Sequence, residues 1–290
     1  MKQSLFTMEH ARQLTADTYE LVLSGDTSAI TAPGQFVNIQ LPGKFLRRPI
    51  SICNWTKAAL LLLVRVVGEG THDLVRCVPG TELDVLSGLG NGFDLAKGGA
   101  HPILLGGGIG IAPLYGLAQR MLEAGIAPTV GLGFRSGGDA FYLEEFGKLG
   151  CRLMVATEDG SLGTKGFVTD LARHVPECGY AFVCGPTPML KAVHGLPQLT
   201  GGQFSFEARM GCGFGVLVAA LLLPTGRFCM RLFSTEPAVI ESGFAYLARI
   251  LPFYWMLAIM FVLSSIMRGA GEMMVPMISS LAALWLARVP

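Results

Sequence analysis

Three short stretches of this chain carry residue types and spacings suited to anion binding, and a fourth begins like a metal loop. In LRRPISICNW, Arg48 and Ser51 lie three apart beside Pro49, which fixes the local backbone. A guanidinium fork and a hydroxyl can together hold a diphosphate. Gly68 to Thr71 (GEGT) offers N–H groups and a hydroxyl that can face a second anion. HPILLGGGIGIAPLYG reads as an apolar strand, Ile103 to Leu105, then a glycine loop of Gly106, Gly107, Gly108 and Gly110, then a helix from about Ala112. That order aims backbone N–H groups and the positive end of a helix at a phosphate. The loop departs from the strict G-x-G-x-x-G fingerprint, because Ile111 or Pro113, depending on register, fills the last position. The fourth stretch, EARMGCGFG, places Cys212 in a glycine-rich turn and then runs on into VLVAALLL.

These groups need elements to hold them. TYELVLSG, GQFVNIQLP and LLLLVRVVG are short runs rich in β-branched, aliphatic and aromatic residues, separated by SGD, APG and LPGK turns. They predict a small antiparallel barrel over the first 95 residues, with LRRPISICNW between its second and third strands. Between residues 100 and 200 the period changes: strands are predicted at TVGLGF, RLMVAT and YAFVCG with helical stretches between them, which is the pattern of a doubly wound parallel sheet. Ligands bind such sheets outside the carboxyl ends of the strands, where FRSG, TEDGS and CGPTPM fall. Arg135 and Ser136 are placed to meet an adenosine ribose, and Cys184, Gly185 and Pro186 a nicotinamide. Each turn taken alone also fits a plain connection, and RPIS a surface turn with a solvated arginine. No acidic residue follows the second strand of the sheet, and Arg135 would suit a 2′-phosphate, so the choice between NAD and NADP stays open.

Composition bounds the rest. The 290 residues are 51 % hydrophobic, and the mean hydropathy of +0.50 exceeds that of an ordinary soluble enzyme. The excess lies in the tail, where Gly213 to Pro290 contains no Lys, Asp, Asn, Gln or His. Ile250 to Met267 is long enough to cross a bilayer, Met273 to Ala287 is shorter, and a buried helical layer is the other reading. With 22 basic and 21 acidic residues the chain has no electrostatic case for nucleic acid. The 7 cysteines show no paired spacing, and a reducing, cytoplasmic setting is expected for residues 1–214, with Cys53, Cys77, Cys151 and Cys178 as small buried residues. The 5 histidines show no ligand spacing.

Taken in order, RRPIS, GEGT, GGGIGIAP, TEDGS, VCGPTPM and SFEARMGCGFG resemble the electron-transfer subunits of dihydroorotate dehydrogenase B, in the ferredoxin reductase superfamily, over residues 1 to about 214. The resemblance implies an FAD-binding antiparallel β-barrel (1–97), a doubly wound α/β NAD-binding domain (98–202), a truncated iron–sulfur loop (203–215) and an apolar helical segment (216–290). It implies that Arg48, Pro49, Ile50 and Ser51 contact FAD, that Leu63, Val64 and Arg65 line its site, and that Gly70 and Thr71 complete it. NAD⁺ would lie over Gly106 to Gly110 and over Cys184, Gly185, Pro186 and Met189, with Glu207 near the flavin. The implied activity is electron channelling: an FMN-containing catalytic subunit, joined in a heterotetramer, oxidises dihydroorotate, and a [2Fe–2S] cluster relays electrons to FAD and NAD⁺.

The family pattern holds that cluster with four cysteine thiolates. Here Cys212 takes the first position, but Leu217 and Ala220 take the next two, and Cys229 falls only near the fourth. Two thiolates cannot replace four, so no stable cluster is expected. Residues 217–290 are similar to an internal piece of a multidrug and toxic compound extrusion transporter, carried by the Phe233 to Pro237 loop, the RGAG turn at Arg268 to Gly271 and the terminal Arg288 to Pro290. A translocation path needs many more spans than this piece supplies, so transport is not expected. Membrane association through 216–290 is, and so is a join of two coding sequences near codon 215. Two other readings are the small flavoprotein subunit of an NADPH-dependent ferredoxin or sulfide oxidoreductase, and a membrane-anchored binding module.

Overall fold

Strand alternation organises the first half of the chain. The computed structural model describes residues 1–44 and 46–206, together with Glu241 and Phe244. Six strands form a closed antiparallel barrel: β1 (Lys2–Gln13), β2 (Thr18–Gly25), β3 (Phe36–Gln40), β4 (Arg48–Trp55), β5 (Ala59–Arg65) and β6 (Glu82–Leu89), in the order β1-β2-β5-β4-β3-β6. Every second side chain points inward, so Phe6, Met8, Leu21, Leu23, Ile50, Ile52, Leu60, Leu62, Leu83 and Val85 fill the interior. Burying each such side chain contributes about 1.5–3 kcal/mol. One short helix, α1 (Glu69–Val75), joins β5 to β6.

The second half is an all-parallel sheet of β7 (Pro102–Gly107), β8 (Thr129–Phe134), β9 (Arg152–Thr157), β10 (Thr164–Lys165), β11 (Tyr180–Cys184) and β12 (Gly201–Ser205), in the order β10-β9-β8-β7-β11-β12. Strand β7 is buried along its whole length, as a central parallel strand must be when helices cover both faces. Leu104, Val130, Leu132 and Phe182 face α2 (Ala112–Glu123) and α3 (Leu143–Lys148). Ile103, Leu105, Ala181 and Val183 face α4 (Val168–Arg173) and α5 (Thr187–His194).

Barrel and sheet share one core. Cys53 and Leu63 of the barrel, with Phe93 of the connection, pack in the same cluster as Leu114, Leu117 and Met121 of α2. Gly116 lets that helix press on the barrel, since a Cβ there would sit 2.5 Å from the carbonyl oxygen of Cys53 on β4. This is a close approach that only glycine permits.

The barrel followed by a parallel sheet is the architecture expected from the sequence. The structure adds three barrel strands that the patterns did not predict, β1, β4 and β6, and the segment LRRPISICNW contributes strand rather than loop. Strand β12 carries the sheet to Ser205, past the expected edge at 202. Among the described cysteines Cys53 and Cys178 are buried as expected, whereas Cys77 and Cys151 are half-buried. Among the described residues no helix is long and apolar enough to cross a membrane, and the expected apolar spans of 216–290 lie outside those residues.

Candidate functional site

The barrel ladder comes apart at one corner. Pairing of β4 with β5 runs from Trp55↔Leu60 to Ile52↔Leu62 and ends there, although β4 continues back to Arg48 and β5 on to Arg65. Pro49, which has no N–H to give a ladder, stands in this stretch. The free stretch of each strand holds the residues singled out on it: Arg48, Pro49, Ile50 and Ser51 on one side, Leu63, Val64 and Arg65 on the other.

Their side chains have different tasks. Ile50 and Val64 are in the barrel core, and Leu63 is in the core shared with α2, so none of the three presents a free side chain. At these positions only the backbone is left to face a ligand. Arg65 is held by Asp17, Nε to Oδ2 at 2.7 Å; burial pushes the Asp17 carboxyl up, but this bond and the Arg65 charge, together with hydrogen bonds from Thr18 and Thr15, keep it below its ordinary range. Of the neighbouring arginines, Arg47 is spent on Asp84, with Nη2 2.6 Å from Oδ2. Arg48 makes no ion pair among the described residues; its Nη1 donates to the Leu46 carbonyl at 2.7 Å. Its guanidinium lies across Gly70 at the first turn of α1, where a Cβ would collide with it. The Ser51 hydroxyl makes no hydrogen bond within the described protein and is half-buried. The hydroxyl of Thr71 closes its own turn: Oγ1 accepts from Val67 N at 2.9 Å and donates to the Gly68 carbonyl at 3.0 Å. Thr71 therefore shapes the loop, and the N–H groups of the first turn remain for an anion.

The sheet has its switch point between β7 and β11, because the chain fills one side with β8, β9 and β10 before crossing to β11 and β12. Both loops expected to bind a dinucleotide leave from that pair of strands. Gly106 is in register with Cys184, a Cβ on Gly110 would overlap the Cys184 carbonyl oxygen, and a Cβ on Gly107 would sit 2.5 Å from Met189 Sδ. Gly108 is left-handed at φ 54°. The loop leads through a 3₁₀ turn, Gly108–Ile111, into α2, with Pro113 in the first turn of the helix. Cys184 is 1 % exposed, so Gly185 and Pro186, rather than the thiol, border the crevice.

One strand over, Arg135 is exposed and makes no ion pair among the described residues, while Ser136 Oγ donates to Asp139 Oδ2 at 2.9 Å. Gly137 N donates to Ser161 Oγ at 2.7 Å, which ties FRSG to TEDGS. Glu207, Cys212, Leu217, Ala220 and Cys229 lie outside the described residues. Among the described residues no group of three or more His, Cys, Asp or Glu side chains could hold a metal.

Sequence reasoning missed one polar contact between the two halves. Glu20 of β2 is buried and accepts hydrogen bonds from Arg12 of β1 and from Tyr142 at the start of α3. The available signal was an acid in the middle of TYELVLSG.

Comparison with known proteins agrees with this geometry. Residues 104–195 match the oxidoreductase NAD-binding domain family, and residues 201–290 match the MatE family. The first residues of the MatE match form β12 of the parallel sheet. Among solved structures, that of an NADH-dependent reduced ferredoxin-NADP oxidoreductase superposes with a TM-score of 0.65 at 29 % identity, covering 72 % of this chain and 80 % of its own. The cytochrome P450 reductase GcoB of Amycolatopsis shares the fold at a TM-score of 0.61 and 23 % identity, covering 70 % of this chain and 69 % of its own. Dihydroorotate dehydrogenase B (NAD(+)), electron transfer subunit, from Shouchella clausii is 42 % identical over 229 residues, covering 76 % of this chain and 88 % of the relative. The subunit of the same name from Geobacillus sp. strain WCH70 is 40 % identical over 253 residues, covering 84 % of this chain and 98 % of its own length, so its match continues past residue 215. The chain belongs to the family of dihydroorotate dehydrogenase B electron transfer subunits, oxidoreductases built on the ferredoxin reductase fold.

Proposed function

We propose that this chain is an FAD-dependent electron-transfer subunit that exchanges a hydride with NAD⁺/NADH beside a separate, FMN-containing dihydroorotate dehydrogenase catalytic subunit. The observation that carries the reading is the unzipped β4–β5 corner. Among the described residues, a guanidinium with no carboxylate, a hydroxyl with no partner and backbone edges left unpaired between β4 and β5 meet there. The same barrel shares a core with the sheet that bears the glycine crevice. Arg48 and the N–H groups around Gly70 would hold the FAD diphosphate, Ser51 and the backbone of Leu63 to Arg65 would border the flavin, and Gly106 to Gly110 with Gly185, Pro186 and Met189 would hold the dinucleotide. Bound FAD supplies the redox chemistry, taking or giving a hydride at the nicotinamide and passing electrons to other carriers. The protein binds, orients and excludes water.

The donor set for a [2Fe–2S] cluster does not fit: Leu217 and Ala220 cannot ligate iron, and Cys212 with Cys229 provides at most two thiolates. The proposal therefore routes no electron through a cluster, and transfer from the catalytic subunit is impaired. Segment 201–290 is similar to MatE proteins, and membrane association and a join near codon 215 are proposals for it, tested by membrane extraction and by resequencing the source DNA.

A second reading has one observation in its favour. The exposed Arg135 and the absence of an acid at the end of β8 suit a 2′-phosphate, as in an NADPH-dependent ferredoxin or sulfide oxidoreductase subunit. Dye reduction by the FAD-loaded chain separates the two: a higher kcat/KM for NADH supports the first reading, and a higher value for NADPH the second.

A further inference from the structure

Glu20 is only 8 % exposed, and a carboxylate so buried keeps its charge only when hydrogen-bonding partners surround it. Its partners come from both halves of the fold. Arg12, its cross-strand neighbour on β1, places Nε and Nη2 each 3.0 Å from the carboxylate oxygens. Tyr142, at the start of α3, donates its hydroxyl to Oε2 at 2.5 Å. Arg12 then reaches Glu145 of α3 at 3.5 Å, so two polar contacts span from barrel to helix. His10 stands on the barrel side at 3.9 Å.

The backbone of Tyr142 is a second, independent observation. It is the one non-glycine residue with positive φ among the described residues, at φ 64° and ψ 14°. For a bulky side chain this conformation is disfavoured, and it persists where the surroundings over-determine it. Here they are the Glu20 carboxylate and the edge-on rings of Tyr115 and Phe141, at 5.3 and 6.4 Å between centroids. Glycine would hold the same backbone without strain but would deliver no hydroxyl. The contact also sits where it can matter, because Glu20 is in register with Leu63 across β2 and β5, at the open corner of the barrel.

We propose that Tyr142, Glu20 and Arg12 form a positioning latch that fixes the barrel against the sheet, so that the flavin and dinucleotide sites stay aligned for hydride transfer. None of the three is a candidate cofactor ligand. The inference rests on the proposed function, and its test separates the two.

Full-length Tyr142→Phe and Glu145→Gln are compared with the parent by amide hydrogen exchange and by stopped-flow reduction of bound flavin with NADH. The latch predicts that Tyr142→Phe keeps its FAD and its NADH dissociation constant, while the limiting reduction rate falls by about tenfold or more, the order expected from a small misplacement of reacting atoms. Exchange rises in β2 and at the start of α3, and Glu145→Gln shows the same pattern in smaller measure. A limiting rate equal to the parent's in both variants overturns the latch, as does a loss expressed wholly as weaker NADH binding. If Tyr142→Phe does not fold, Glu145→Gln decides by the same criteria. A parent chain that binds no flavin defeats the functional reading instead, and the exchange measurement, which needs no cofactor, then decides on the latch.

Discussion

At the scale of single residues, Gly70 and Glu20 make the sharpest claims. Gly70 is not needed for a left-handed turn; it is needed because the Arg48 guanidinium occupies the place of a side chain. Gly70→Ala should displace that guanidinium while leaving the fold intact, since the long side chain can move and alanine favours the helix. Losing charge-assisted hydrogen bonds of about 1.5–3 kcal/mol lowers FAD affinity by ten- to a hundredfold. Fluorescence titration of the apoprotein with FAD measures this, and unchanged affinity would remove Arg48 from the diphosphate site. For Glu20, burial pushes the carboxyl pKa up, but the hydrogen bonds from Arg12 and Tyr142 outweigh it and hold it below the ordinary 4.5. A depressed folded pKa stabilises the protein fully above the unfolded value, and that contribution is lost as pH falls through the folded one. Denaturant melts below about pH 4.5 should therefore show an acid-side loss of stability that is shallower in Glu20→Gln. Equal slopes in both proteins would show that Glu20 is not the group responsible.

At the scale of elements, legibility followed apolar runs bounded by turn residues. Strands β8 and β9 were predicted at their observed bounds, because each is an apolar run between turn residues, buried along nearly all of β8 and at the carboxyl end of β9. Strand β2 was as plain, being apolar inside and against β5. Strand β1 was invisible: of KQSLFTMEHARQ only Phe6 and Met8 are buried, and the remainder, apart from Leu5 and Ala11, is polar and mostly exposed. Strand β4 was hidden by its composition, since it opens with an arginine and a proline, in the stretch that does not pair with β5. The site residues were legible by type, yet not by role. The family resemblance implied that Leu63, Val64 and Arg65 line a ligand site but could not show that two are core side chains and the third is paired with Asp17. Helix α2 provides the test at this scale. Propensity alone says Gly116→Ala should stabilise the helix by about 1 kcal/mol. The new methyl would meet the Cys53 carbonyl at 2.5 Å, and overpacking against backbone costs about 1–3 kcal/mol. The contact should win, so thermal denaturation should show a lower Tm; a higher one would mean that the helix and barrel are less closely pressed than described.

At the scale of the whole molecule, a barrel that holds one cofactor and a sheet that holds another must keep a fixed relation, and three features provide it. The shared core of Cys53, Leu63 and α2 brings them together, Gly116 sets their distance, and the Tyr142 contact with Glu20 ties them at the corner where the barrel opens. Family membership implies a partner subunit for that frame, and under the proposed function the departures at Leu217 and Ala220 remove the means of relaying electrons from it. The front of the chain should therefore keep a self-contained reaction with nicotinamide even where its natural electron source is disconnected. The most direct measurement is an anaerobic NADH titration of the full chain after reconstitution with FAD, iron and sulfide, with flavin and iron quantified on the same sample. The account predicts stoichiometric flavin that bleaches on adding NADH, with iron well below the two per chain of an intact cluster, a count of about two. Absence of bound flavin, or flavin that NADH does not reduce, would contradict it.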